Sequence, residues 1–346
     1  MGFPNMRTHL SCALLALASA AQAALPTSGL PSGDYPIAAH VSAESFAATK
    51  LGKALELASA GDAQNAAALR KTKDRLGLDL NKDIRDLTLQ ASPAKGGEAR
   101  AYFSGLLRGR FDKSKIEGFA ASSKVPHRTV AGHKAWEGDR LLKALTDDTE
   151  PDNSKSDGEF YVVVLDGSTL VLADEPLLES AVAAAKANLP WKHAGLAEAV
   201  SKASNSWLVI AADVQAIEKL GAADDPEAAP SGAKTGNIGL GEDARNVQLR
   251  VNADFVSEAK AKESLAQLQG LLGFAQLGLM PNEEDSAEDA KNKRDLLVLV
   301  KGLKVDGSGS KLSISLDYPV EKAVEALLKA IAEGKAQDAS PAPKGK

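Results

Sequence analysis

The chain has 346 residues, 44% of them hydrophobic, 25% charged and only 4% aromatic. Its 41 basic and 46 acidic side chains leave a formal net charge of −5, which argues against a basic nucleic-acid surface. So few aromatics also argue against a stacking platform for bases. The length suits two globular units of about 150 residues each.

Residues 1–23 read as a secretory signal peptide. A short n-region carrying Arg7 precedes the apolar run Leu10 to Ala21, and Ala21-Gln22-Ala23 supplies the small-residue cleavage site. A start at Met6 would shorten the n-region further. The run is shorter than the roughly 20 residues that span a bilayer. Cys12 stands at the front of the run, where a lipidated cysteine would stand at its end. Cleavage after Ala23 removes Arg7 and the one cysteine, leaving 40 bases against 46 acids, a net of −6 and no thiol. The expected location is the periplasm or the cell exterior, with no disulfide and no thiolate chemistry.

Residues 24–33 form a linker rich in small residues and proline. A first α+β unit follows over 34–190, a connection over 191–206, a second unit over 207–335 and a polar tail over 336–346. In the first unit, alternating or apolar runs predict strands at Pro36–Val41, Ile84–Ala91, Ala99–Gly109, Thr129–Glu137, Phe160–Leu165 and Thr169–Ala173. Helices are predicted at Glu44–Ser59, Asp62–Leu76, Asp112–Ser122, Asp139–Leu145, Pro176–Asn188 and, in the connection, Leu196–Ala203. In the second unit the strands are Trp207–Ala212, Asn246–Ala253, Leu296–Val305 and Lys311–Leu316, and the helices Val214–Leu220, Asp254–Leu277 and Val320–Ala332. Asp112 and Asp254 sit at strand ends as N-cap candidates. The stretch 221–245, with two prolines and five glycines, reads as a long loop.

Two landmarks recur in the same order. Tyr35 to Val41 and Trp207 to Val214 each give an aromatic, an apolar strand, then Ala-Ala, a polar residue and Val. Asp166-Gly167 and Asp306-Gly307 each separate two apolar runs ahead of an Asp-x-Pro helix start, a hairpin pattern. The fold class expected is α+β: two tandem related units, each a mainly antiparallel sheet with helices on one face. The stretches Gly109-Arg-Phe111-Asp112, His127 to Gly132 and Leu165-Asp166-Gly167 resemble exported bacterial proteins built from duplicated antiparallel-sheet α+β units. That resemblance implies a fold and an exported location, and no activity.

Candidate chemistry is sparse. Ser257-Glu-Ala-Lys260 and Lys234-Thr235-Gly236 match two short patterns of penicillin-recognising enzymes, but in the reverse order. His127 and His133, read on one strand, stand about 20 Å apart, too far to share a metal. Asp148, Glu150, Asp152 and Glu159 fall in an EF-hand-like frame, with Asn153 where glycine is wanted, and are the metal-ligand candidates. Gly236-Asn-Ile-Gly239-Leu-Gly241 follows no predicted strand and opens no helix, so it reads as loop glycine rather than a nucleotide fingerprint. No cofactor is expected.

The remaining feature is Leu268 to Met280, thirteen residues with no charge and three glycines. One reading buries this helix end against the sheet. The other makes it an apolar flap that meets lipid, ligand or partner, with Leu268, Leu271, Leu272, Phe274 and Leu277 as the contact residues. The function expected is a non-catalytic binding or scaffold protein of the cell envelope with an unknown protein partner. The alternatives are a periplasmic carrier of a lipid or small apolar ligand and, behind it, a serine-dependent hydrolase.

Overall fold

The structure is a computed structural model that describes residues 35–61, 63–92, 102–146, 160–189, 196, 206–221, 231–282 and 285–338. The first unit contributes β1 (Ile37–Ser42), β2 (Ile84–Ser92), β3 (Tyr102–Gly109), β4 (His127–Val130), β5 (His133–Glu137), β6 (Phe160–Val164) and β7 (Thr169–Asp174). The second contributes β8 (Ser206–Asp213), β9 (Ala233–Glu242), β10 (Asn246–Phe255), β11 (Lys304–Ser308) and β12 (Lys311–Pro319). Helices α1 (Ala43–Ala48), α2 (Lys50–Ala60), α3 (Ala63–Leu76), α4 (Leu80–Asp83), α5 (Lys113–Ser122), α6 (Gly138–Thr146) and α7 (Leu178–Ala187) belong to the first unit. The second carries α8 (Val214–Gly221), α9 (Glu258–Gly278), α10 (Ala287–Gly302) and α11 (Val320–Asp338).

These strands make one antiparallel sheet in the order β11-β12-β10-β9-β8-β1-β2-β3-β7-β6-β5-β4. Outward from the middle, the path β1-β2-β3-β7-β6 is repeated as β8-β9-β10-β12-β11. The repeat also sets the join. Ala38 of β1 pairs with Ala211 of β8, which is its own counterpart in the duplicated segment, and Ile37 pairs with Ala212 while Ala39 pairs with Ile210. Equivalent residues facing each other place a local two-fold axis through that pair, normal to the sheet. Among its described residues the second unit has no counterpart of β4 and β5 and carries α10 in their stead. Glu242 at the end of β9 ties the units further by accepting from the Lys50 and Leu51 amides at the start of α2, at 2.6 and 3.2 Å. A carboxylate there satisfies amides that the helix itself leaves free.

Residues opposite one another in an antiparallel ladder share a face. On one face stand Val209, His40, Thr88, Leu106, Val171 and Val163, covered by Leu178, Ala181 and Val182 of α7 and by Leu196. The other face is apolar across both units: Leu316, Leu249, Leu240, Leu208, Val41, Leu87, Leu107 and Leu170 form one row. In the first unit α3, α5 and α6 pack on this second face through Leu76, Ile116 and Leu141. In the second unit α9 packs there through Ala261, Leu265 and Leu268. The class is α+β with an antiparallel sheet, as the sequence implies, but helices lie on both faces of the first unit.

Five local readings change, the first being the helix expected over Glu44–Ser59, which breaks at extended Thr49 into α1 and α2. The loop expected over 221–245 contains β9, a strand held on both sides by ladders to β8 and β10 despite Gly236, Gly239 and Gly241. Of the strand expected at Leu296–Val305 only Lys304 and Val305 are strand, in β11; Leu296–Gly302 is the end of α10, capped by Ser286, whose hydroxyl accepts from the Asp289 amide at 3.1 Å. Thr129–Glu137 is a hairpin rather than one strand, turning at Ala131 and Gly132 with φ of 49° and 84°. Asp306-Gly307 lies inside β11, and the hairpin turns instead at Gly309, φ 58°.

The residues carrying the family resemblance act as structural punctuation. The Asp112 carboxylate caps α5 by accepting from the Lys115 amide at 2.9 Å, and Phe111 is buried beside Ile116 and Leu78. Asp166 closes the β6–β7 turn by accepting from the Ser168 amide at 2.7 Å.

Candidate functional site: the overhanging helical hairpin

Most candidate groups are engaged in holding the fold. The Ser257 hydroxyl, not Asp254, caps α9 by accepting from the Lys260 amide at 3.3 Å, and the Lys260 ammonium pairs with Glu263 at 2.9 Å. Lys234, Thr235 and Gly236 lie in β9, with the Thr235 hydroxyl donating to Asp254 at 3.4 Å. Among the described residues no base contacts the Ser257 hydroxyl. Ser257→Ala is therefore expected to cost about 1 kcal/mol in a denaturant melt, the usual worth of an N-cap. Unchanged turnover of any substrate found for the chain would remove this serine as a nucleophile.

His127 packs on Trp136 with ring centroids 4.4 Å apart. His133 stands at the other end of the hairpin opposite Val130, on the opposite face from His127. His40 is buried in the sheet with its Nδ1 2.9 Å from the Thr88 hydroxyl. The metal candidates Asp148, Glu150, Asp152 and Glu159, like His193, lie outside the described residues. Among the described residues no cluster of His, Cys, Asp and Glu could hold a metal ion. An open cleft of about 360 Å³ beside α4 is lined by Glu44, Asp83, Arg85 and Arg110, and there Arg110 is already paired to Asp83 at 2.9 Å.

The apolar stretch behaves differently. Helix α9 crosses β10 and β12, reaches the edge strand β11 where Leu265 lies against Gly307, and continues beyond it. Leu268 is its last residue in the sheet's apolar cluster. At 100° per residue, Ala261, Leu265, Leu268, Leu272, Gln276 and Leu279 form one seam with spacings of four and three. Its first three members face the sheet, and the last three are half-buried where α9 runs beside α10. On α10 the half-buried residues Ala290, Lys293, Leu297 and Val300 are spaced the same way, with Leu299 and Gly302 half-buried beside them. Lys293 closes the tip by donating to both Asp285 oxygens, at 2.6 and 2.8 Å. That ammonium, with the Asn282 amide, holds the Asp285 carboxyl below its usual range.

Leu271, Phe274 and Leu277 lie on the other side of α9. They are 64%, 75% and 64% exposed, and Met280 beyond the helix end is 51% exposed. Of the contact residues named from the sequence, Leu268 is half-buried against the sheet's apolar cluster, Leu272 lies on the seam, and Leu271, Phe274 and Leu277 form an outward stripe. The stripe does not line a chamber between helix and sheet. A Cβ placed on Gly270, Gly273 or Gly278 meets nothing within 4 Å, so packing within the chain does not require glycine there. Each costs the helix about 1 kcal/mol relative to alanine. No helix among the described residues is long and apolar enough to cross a membrane.

No family model matches this chain, and no curated protein matches it. Solved structures do align with it. Crystal forms III, I and IV of TP0453, a Treponema protein, align at TM-scores of 0.41, 0.41 and 0.42 with 10%, 8% and 10% identity. The alignments cover 88%, 89% and 89% of this chain and 98%, 99% and 97% of TP0453. A likeness of that size does not extend to activity, ligand or partner.

Proposed function

We propose that this chain is an exported, non-catalytic binding protein of the cell envelope that works by protein–protein contact through the outer face of α9. The signal-peptide pattern over residues 1–23 supports the location. The observation that carries the function is the outward stripe of Leu271, Phe274 and Leu277, on a helix whose opposite seam already supplies the packing the fold needs. Large apolar side chains grouped this way on a surface mark an interaction site far more often than scattered ones do. A carrier would instead need room between α9 and the sheet, where Leu265 and Leu268 pack against Val305, Leu312 and Ile314.

The test separates the two sides of one helix. Leu271→Ser, Phe274→Ser and Leu277→Ser together are expected to leave the unfolding free energy within about 1 kcal/mol of the parent, as surface substitutions do. The same variant is expected to lose any partner that cross-links to the parent chain in the envelope. Leu268→Ser on the seam is expected to cost about 3 kcal/mol. A triple variant that unfolds would show the stripe to be core and end the proposal. A mass of a few hundred daltons retained in native mass spectrometry and lost on denaturation would favour the carrier.

A further inference from the structure

Resting on the outer face of α9 as the binding surface, we infer that its partner is the same face of a second copy of this chain, the two helices running antiparallel about a two-fold axis that crosses the outer face at the level of Leu272.

A two-fold interface needs a patch complementary to itself. The outer face alternates large and small residues: Leu271, Phe274 and Leu277 beside Gly270, Gly273 and Gly278, with open space over each glycine. An antiparallel copy can lower its large side chains into those gaps, so the glycines that weaken the isolated helix become the sites of close approach. Charge selects the direction. No charged residue occurs between Glu263 and Glu283; the end over the sheet carries Lys260 and Lys262 beside Glu258 and Glu263, with no net charge, while the tip carries Glu288 and Asp289 beyond the Asp285–Lys293 pair. Antiparallel pairing about Leu272 sets Lys260 and Lys262 of each copy against the acidic tip of the other, twice per dimer. Parallel pairing sets acidic tip on acidic tip. The present partners of the two lysines, Glu263 at 2.9 Å and Glu258 at 2.7 Å, are exposed ion pairs that bind weakly and can be exchanged. Antiparallel alignment also opposes the two helix dipoles favourably. The same acidic tip works against docking on an anionic lipid surface. The area is small, so the dimer is weak and concentration-dependent.

Sedimentation equilibrium and native mass spectrometry of the full exported chain test this. The parent is expected to dimerise, and the triple serine variant at 271, 274 and 277 to weaken the dimer by about tenfold or more. Lys260→Glu with Lys262→Glu, and separately Glu288→Lys with Asp289→Lys, should each weaken the homodimer by about tenfold, because every tip–base contact becomes repulsive. An equimolar mixture of these two variants should restore a heterodimer, since both contacts are again attractive. A parent chain that stays monomeric to about 100 µM overturns the inference, as does a mixture that fails to associate. If the parent is monomeric while the triple serine variant still loses a cross-linked envelope partner, the second copy is wrong and the binding surface stands. If the folded triple variant dimerises as well as the parent, the interface lies elsewhere and the inference falls.

Discussion

Lowering the pH from 6.5 to 4 is expected to cost the folded protein about 3 kcal/mol through one residue, and His40→Gln is expected to remove most of that loss. His40 is 2% exposed in the middle of the sheet, on the β1–β8 join opposite Val209. Burial, with a smaller push from the Arg108 guanidinium, lowers its pKa from 6.5 to about 4. Above pH 6.5 the imidazole is neutral in both states and contributes no slope. Between pH 6.5 and 4 the unfolded chain takes up a proton that the folded chain refuses, so stability falls by about 1.4 kcal/mol per pH unit. Below pH 4 both forms are protonated and the slope ends.

Asp86 works in the other direction, because burial outweighs the attraction of Arg108 and raises its pKa. Its folded form prefers the neutral carboxyl, so it becomes less destabilising as pH falls through its folded value. His133, whose pKa burial also lowers, adds a slope of the same sign as His40. Both contributions are common to the parent and the variant, and the difference between them isolates His40. Glutamine can keep a hydrogen bond to the Thr88 hydroxyl and cannot titrate. Urea unfolding at half-unit steps from pH 7.5 to 4 gives the comparison. Parallel curves for the two proteins would show that the histidine does not carry the acid sensitivity.

Gly109→Ala is expected to destabilise the protein by about 3 kcal/mol, the upper range for forced overpacking. Gly109 ends β3 where it pairs with Ile84 of β2. A Cβ there would stand 2.1 Å from the Asp83 carbonyl oxygen and 3.1 Å from the Phe111 ring. The nearer atom is backbone and cannot swing aside. That carbonyl also accepts from the Arg110 amide at 2.7 Å, so moving it strains the following turn and the entry to α5. Gly118, on α5 with nothing within 4 Å of its Cβ position, is the control: alanine there should be neutral or mildly stabilising. Equal effects at the two glycines in thermal melts would refute the steric account.

Many of the elements were legible because their signals are local. Asp112 caps a helix through an amide three residues away, and Pro176 sits in the 3₁₀ turn Glu175–Leu177 that leads into α7, where no donor is lost. The alternation in β2 and the two copies of the Ala-Ala strand are visible in neighbouring residues. What was not legible depends on distant partners. β9 is poor in side chains that favour strands, and two flanking ladders supply what its glycines do not. The run Leu296 to Val300 suits a strand or a helix equally, and α9 lying beside it decides for helix.

The site divides in the same way. Composition alone marked Leu268 to Met280 as uncharged, glycine-bearing and too short to span a bilayer. Which of its residues face outward could not follow from composition, because this part of the helix is apolar on two sides. Only the sheet selects the seam: once Ala261, Leu265 and Leu268 pack against β10, β12 and β11, the helical period turns Leu271, Phe274 and Leu277 into solvent. The sequence by itself determined the duplicated landmarks and most of the helices and strands, and it singled out the Leu268 to Met280 stretch, since all of these are written within a few residues of one another. The tertiary structure decided that the two units share one sheet through β1 and β8, and that the apolar stretch overhangs its edge. Strand pairing and burial are choices among distant partners, and those choices are made only when the chain closes on itself.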